Sequence, residues 1–298
     1  MNKIVIFFFF IVISQGAFSQ INDSVLVKKN SRIVLSSCGL AVGYVSSIYL
    51  LNQTWYSNYP KSSFHFFNDN REWMQMDKIG HISTAYVVSS LGIELMKWSG
   101  IKRKPAILIG GSIGSLYMTT IEVLDGYSLE WGASYGDIIA NTIGSGLAVL
   151  QEFSGNKIVD LKWSYHETRY AKMRPNLLGN NLPQRMLKDY NGQTYWLSFN
   201  IKNIIKKGSI PPWLNIAFGY SVDGMLGACN NPVSYNGVYF SNYKRTRQFF
   251  LSFDIKTNSI KTNNKILNRV FKVINVVKFP LPTIGFEHGK SAFYPMYF

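Results

Sequence analysis

The hydrophobic period of this chain switches partway along its length, and that switch limits the folds open to it. Up to about residue 155 the apolar residues gather in four stretches, Ile33 to Leu51, Lys78 to Trp98, Pro105 to Leu124 and Tyr135 to Phe153. Each is 19 to 21 residues long, a helix of bilayer-spanning length. Segments rich in turn formers or charge separate them, "NQTWYSNYPKSS" and "SGIKRKP" among them. The stretches are studded with Gly, Ser, Thr and Ala, as in Gly110 and Gly114, so their backbones can approach closely.

From about residue 190 the apolar residues alternate instead. "YWLSFNIK" puts Tyr195, Leu197, Phe199 and Ile201 on one face and Trp196, Ser198, Asn200 and Lys202 on the other. "FFLSFDIK" repeats this with Phe249, Leu251, Phe253 and Ile255. Period two with one apolar face predicts half-buried strands at equivalent places in one antiparallel sheet, and aromatics such as Trp196, Trp213 and Phe253 are expected in its core. "WLNIAFGYSV" alternates likewise. "TIGFEHGKSAFYPMYF" reads as a hairpin turning at His288 and Gly289, with Pro295 confining the last strand to an edge. Lys265 to Val277 reads as a basic amphipathic helix, Lys265, Arg269 and Lys272 opposite Ile266, Phe271 and Ile274. Its apolar side is expected to cover the sheet, with lying on a membrane as the second use. The expected fold class is therefore α+β: an apolar helical bundle over residues 31–155, then a basic antiparallel β-rich region over residues 190–298. Four to six good strands fall short of the eight of the smallest membrane barrels, and although Phe298 is the aromatic ending such barrels favour, a complete barrel is not expected.

The first 19 residues have the form of a secretory signal peptide, with Lys3, an apolar core from Ile4 to Ile13, and Ala17 and Ser19 before a cleavage point at Gln20. That core is too short for a permanent span. The mature chain is expected in the periplasm or associated with the outer membrane. The inner membrane fits less well, because four spans after cleavage would leave Lys102 to Lys104 outside, against the positive-inside tendency. The first cysteine, Cys38, is too far along to follow a lipoprotein signal. Cys38 and Cys229 could pair in this compartment, but the helix-like context of Cys38 favours two separate thiols. Residues 1–159 carry 12 Lys and Arg against 10 Asp and Glu, whereas residues 160–298 carry 19 against 6, so the net charge of +15 belongs to the second half. An exported basic surface faces anionic envelope lipid; nucleic acid is excluded as a partner by the compartment.

"DKIGH" at the head of the second apolar stretch sets a carboxylate, an ammonium and an imidazole beside a nearly charge-free helix. Ionised groups there need partners. Asp77, His81 and Thr84 line one stripe of that helix, and Asp137, Asn141, Gly144, Ala148 and Gln151 line a small, polar stripe of the fourth. The third ends in "EVLDGYSLEWGAS", carrying Glu122, Asp125 and Glu130. Antiparallel packing would gather Asp77, Lys78, His81, Glu122, Asp125, Asp137 and Asn141 at one end of the bundle, the candidate ligand-binding set. Three uses are open to it. It is a buried network holding helices in register; or a pocket for a lipid-linked or glycan envelope component; or a hydrolytic or metal-dependent site in which Asp77, His81, Glu122 and Asp137 hold Zn²⁺ or Mn²⁺ or act as acid and base. No nucleophile motif accompanies them, and the identity of any cofactor is left open. His65, His166 and His288 stand apart from the cluster.

"WMQMDKIGHISTAY", then the helix ending "TTIEVLDG", then "EWGASYGDIIANTIGS" resembles the YfiM-like predicted periplasmic lipoproteins, over about residues 73–151. Asp77, Lys78, His81, Glu122, Asp137, Asn141 and Gly144 carry the likeness. The same order is more distantly similar to VanZ-like membrane proteins, which are linked to glycopeptide-antibiotic resistance. The resemblance implies a helical envelope protein and carries no reaction with it.

Overall fold

The computed structural model describes residues 24–57, 59–205, 209–287 and 289–297, with side chains from residue 30 onward. The expected signal peptide, the hairpin tip at His288 and the terminal Phe298 lie outside the described residues. Helix α1 (Ser24–Leu51) runs into a π-helical turn, Asn52–Tyr56, followed after a loop by α2 (Met76–Trp98), α3 (Arg103–Gly126) and α4 (Tyr135–Ser154). Helix α3 runs antiparallel to α2 and α4, which lie parallel to each other. Their small residues set the spacing: a Cβ on Gly114 would stand 2.1 Å from the Ala85 carbonyl oxygen, and one on Gly144 the same distance from that of Ile82. Ser134 caps α4 by accepting from the Asp137 amide, and Gly155 ends it in a left-handed turn. Helix α1 touches α3, where the Tyr44 and Thr120 hydroxyls meet at 2.7 Å, and α2, where Arg32 sits over the Trp98 ring. Asn30–Tyr56 and Arg103–Gly126 are long and apolar enough to cross a membrane, and only 6% of the apolar window of the first is buried.

Strand β1 (Val159–Tyr165) follows, then short helices α5 (Tyr170–Met173), α6 (Pro175–Leu178) and α7 (Leu182–Lys188). The rest is β2 (Gln193–Asn200), α8 (Ile201–Ile205), β3 (Leu214–Asp223), β4 (Ser234–Tyr235), β5 (Val238–Tyr239), β6 (Thr246–Ile255), α9 (Lys265–Ile274), β7 (Leu281–Glu287) and β8 (Lys290–Tyr297). The main sheet is antiparallel throughout in the order β1-β2-β3-β6-β7-β8, and β4 pairs only with β5. Both "LSFxIK" segments fall in strands of this one sheet, although the first leaves its strand after Asn200, with Ile201 and Lys202 opening α8 instead, and β8, with Pro295, is an edge as predicted. The free edge of β1 is occupied: Trp163 donates to the Val276 carbonyl and accepts from the Lys278 amide.

At β1 the apolar face turns to the helices, where Leu161, paired with Leu197, is buried against Tyr86, Ile93 and Ile107, but from β2 to β8 the faces are the reverse of the expectation. Leu197, Phe218, Leu251, Ile284 and Phe293 stand in register across five strands on the outer face, and all but half-buried Leu251 are exposed. The matching inner row, Ser198, Ala217, Ser252 and Thr283, is buried. Alternation fixes that there are two faces; it does not fix which one is inside. Here the inner face must satisfy buried Lys162, Lys256, Lys278, Asp160 and Asp254, so the polar residues turn in. Trp196 and Phe250 fill the remaining interior because Gly219 and Gly285 face them: a Cβ at either position would lie within 3 Å of those rings. Of the aromatics expected inside, Trp196 is there, whereas Trp213 and Phe253 are exposed.

Helix α9 does not cover the sheet. None of its residues is buried, and Ile266, Val270 and Val273 face outward. Polar contacts moor it: Lys272 Nζ lies 2.9 Å from Glu94 Oε2 on α2, and Thr257 donates to the Phe271 carbonyl. Cys38 and Cys229 are both unpaired.

Candidate functional site

Helix α2 begins from an unusual turn. Trp73, Met74 and Gln75 are consecutive left-handed residues, with φ of 48°, 51° and 65°, a conformation that costs on the order of 1 kcal/mol or more for each non-glycine residue. The β half holds it: the Trp73 amide donates to the Ala228 carbonyl, Tyr220 Oη to the Met74 carbonyl at 2.6 Å, and Arg247 Nη2 to Gln75 Oε1 at 2.6 Å. The turn aims the start of α2, with Asp77, Lys78 and His81, at the end of α3 and the start of α4.

There the candidate residues meet. Lys78 Nζ lies 2.7 Å from Asp69 Oδ1, 2.9 Å from Asp137 Oδ2 and 3.3 Å from Asp77 Oδ2. His81 Nδ1 is 3.0 Å from Asn141 Oδ1 and 3.4 Å from Glu122 Oε1, both acceptors, so this nitrogen carries the proton. The opposite nitrogen, Nε2, faces Asp77 Oδ1 at 3.8 Å and Asp137 Oδ1 at 3.9 Å. Tyr190 donates to Asp77 Oδ1 at 2.7 Å, and the Ser134 amide to Glu122 Oε2 at 3.0 Å. Asp125 accepts from Tyr56 at 2.8 Å on the wall of the same pocket. The polar stripe of α4 is buried from Asp137 to Gln151, with Gly144 against α2.

The charges are not fully matched. Asp137 Oδ1, Glu122 Oε1 and Asn141 Nδ2 are buried without a hydrogen-bond partner. Burial would raise the Asp77 carboxyl, but His81, Lys78 and Tyr190 outweigh it and hold it below the usual carboxylate range. Burial, reinforced by the Asp77 charge, pushes Asp137 up to about 8 against the pull of Lys78. Burial also works against the Lys78 ammonium, but Asp77, Asp69 and Asp137 more than offset it and raise its pKa.

Beside the cluster is a partly open cavity of about 450 Å³, walled by Trp55, Trp131, Trp163 and Met118 as well as by the acids. Tyr190, Gln193 and Tyr195 from the β half close its far side. Sequence reasoning missed four contributors: Asp69, Ser134, Tyr56 and Tyr190. Asp69 sits in the polar loop "FNDNREW" and Tyr190 is 113 residues from Asp77, so neither falls on a helical stripe. The π-helical turn that swings Tyr56 inward leaves no mark in the hydrophobic period. Glu130 is exposed, His65 bonds Ser62, and His166 lies against Tyr297, all outside the cluster.

Residues 65–153 match the model of a family described as predicted periplasmic lipoprotein (DUF2279), which agrees with the YfiM-like resemblance and with an exported, envelope-associated protein. The match covers α2, α3, α4 and the loop with Asp69, and stops before β1. No comparison supports the VanZ-like likeness. No curated protein and no solved structure matches the chain significantly.

Proposed function

We propose that the protein is an envelope component that seats itself in a lipid bilayer through the outer face of its sheet and binds a ligand in the acid and histidine pocket. The outward row of Leu197, Phe218, Leu251, Ile284 and Phe293 carries the membrane reading. Such an exposed apolar face beside a polar interior is the arrangement of lipid-facing strands, and a contiguous patch of that kind is rare on a surface that meets only water. Helix α9 adds a second exposed apolar side, Ile266, Val270 and Val273, with Lys265 and Arg269 exposed on the same helix for anionic head groups. The pocket supports binding over scaffolding because its network is not closed: Asp137, which lines the cavity, and Glu122, next to His81, each keep an oxygen without a partner, whereas a register device would satisfy every member.

Co-sedimentation tests the membrane half. Full-length mature protein exchanged out of detergent into vesicles of phosphatidylglycerol and phosphatidylethanolamine is expected to pellet with them, to lose at most a part of its binding in high salt, and to come off in mild detergent. Protein that stays dispersed without detergent or vesicles and does not pellet at low salt overturns the reading.

A further inference from the structure

We propose that His81 Nε2, Asp77 Oδ1 and Asp137 Oδ1 form a binding site for one divalent first-row cation, Zn²⁺ or Mn²⁺. The donor atoms lie within 4.8 Å of one another, and the two histidine-to-carboxylate gaps of 3.8 and 3.9 Å are too long for hydrogen bonds. One ion about 2.0 to 2.2 Å from each donor fills such gaps with small side-chain adjustments.

An independent observation points the same way. Asp137 lines the cavity and is 3% exposed, yet its Oδ1 has no hydrogen-bond partner and stands 3.9 Å from His81 Nε2. Buried carboxylate oxygens left in that condition are rare and destabilising, and a cation is the partner that this one lacks. The surrounding groups act as an outer layer would. Asn141 and Glu122 fix the Nδ1 proton and so aim the Nε2 lone pair; Lys78 takes Oδ2 of both Asp77 and Asp137 and turns each Oδ1 toward the imidazole. Four carboxyl groups, Asp69, Asp77, Glu122 and Asp137, surround the single Lys78 ammonium. The cavity supplies the open position for water or a ligand oxygen.

The donor set selects the ion class. No thiol is present in it, which disfavours copper(I) and iron–sulfur chemistry, and an imidazole among carboxylates suits Zn²⁺ or Mn²⁺ better than Ca²⁺. The site goes beyond the membrane reading and stands or falls separately from it.

Chelator-stripped, detergent-solubilised full-length protein would be titrated with Zn²⁺ by calorimetry and with Mn²⁺ by electron paramagnetic resonance, where bound Mn²⁺ loses its free-ion signal. One equivalent of either ion is expected to bind, with His81→Gln and Asp137→Asn each weakening it at least roughly tenfold and the distant Glu94→Gln unchanged. Folding of each variant is checked by circular dichroism, and if one fails to fold, the other variant and the wild-type titration decide. A folded wild type that takes up neither ion overturns the proposal, as do folded variants that bind like wild type.

Discussion

Lys162 Nζ lies 2.7 Å from Asp254 Oδ2 inside the sheet, with both side chains wholly withdrawn from solvent. Ser198 also donates to that oxygen, and Lys162 to the Ile255 carbonyl. Neither ion retains water, so each depends on the other for its charge. Asp254→Ala is expected to lower stability by about 3 to 5 kcal/mol, because it strands the ammonium, whereas the paired change Lys162→Met with Asp254→Leu should recover most of the loss. Urea unfolding in detergent measures both; equal losses from the single and double changes would refute the account.

Lys278 gives the interior a pH dependence. It is 1% exposed, with Nζ 5.0 Å above the Trp196 ring. Burial, helped by the neighbouring Lys162 charge and opposed by Asp254, pushes its pKa down to about 8. The unfolded chain holds this proton up to about pH 10.4, so between those values unfolding binds a proton that folding releases. The contribution of Lys278 to stability therefore rises with pH across this window and is lost as pH falls through about 8. The full span is on the order of 3 kcal/mol. Lys278→Met should be more stable than wild type at neutral pH, with the difference closing toward pH 10 in thermal melts.

The packing of α2, α3 and α4 rests on backbone contact. Gly114→Val puts a branched side chain against the Ala85 carbonyl, where even a Cβ would stand 2.1 Å from the oxygen. The helices must separate, at a cost of roughly 1 to 3 kcal/mol or more. A markedly lower melting temperature is the expected result, and a melting temperature within a degree or so of wild type would show the contact to be softer than drawn.

Phe218 and Ala217 are neighbours on opposite faces of β3, half exposed and fully buried. Phe218→Lys is expected to fold normally and to lose vesicle binding, since a lysine on a lipid face costs about 2 to 4 kcal/mol near the bilayer centre. Ala217→Lys should instead misfold, by forcing another cation among Lys162, Lys256 and Lys278. Circular dichroism with co-sedimentation reads both. Unchanged binding by Phe218→Lys would detach the outer row from the membrane.

Much of this architecture is legible in the sequence wherever a period carries it. The four helices fall within a few residues of their apolar stretches, apart from α1, which starts earlier, at Ser24, where no apolar stripe marks its extension. The convergence of Asp77, His81, Glu122 and Asp137 follows from helical spacing and antiparallel order alone. The inward face of the sheet was not legible, because Phe218 and Ser198 alternate identically whichever side meets water; buried lysines far apart in sequence decide it. Asp69 and Tyr190 were invisible for a related reason: a loop and a distant turn place them, and neither has a period.

The left-handed turn at Trp73 to Gln75 bears on how far the molecule can be divided. The matched family segment ends at residue 153, yet the turn that sets the start of α2 is gripped by Tyr220, Arg247 and Ala228, and Asp77 takes a hydrogen bond from Tyr190. The family segment is therefore not a portable module in this protein. Expressed alone, residues 65–153 would lose the clamp that keeps three residues in an unfavourable backbone region, and α2 would start in a different direction. The matched segment contains the acids and the histidine; their mutual geometry depends also on residues beyond it. Grafting or transplanting this site means moving both halves of the chain together.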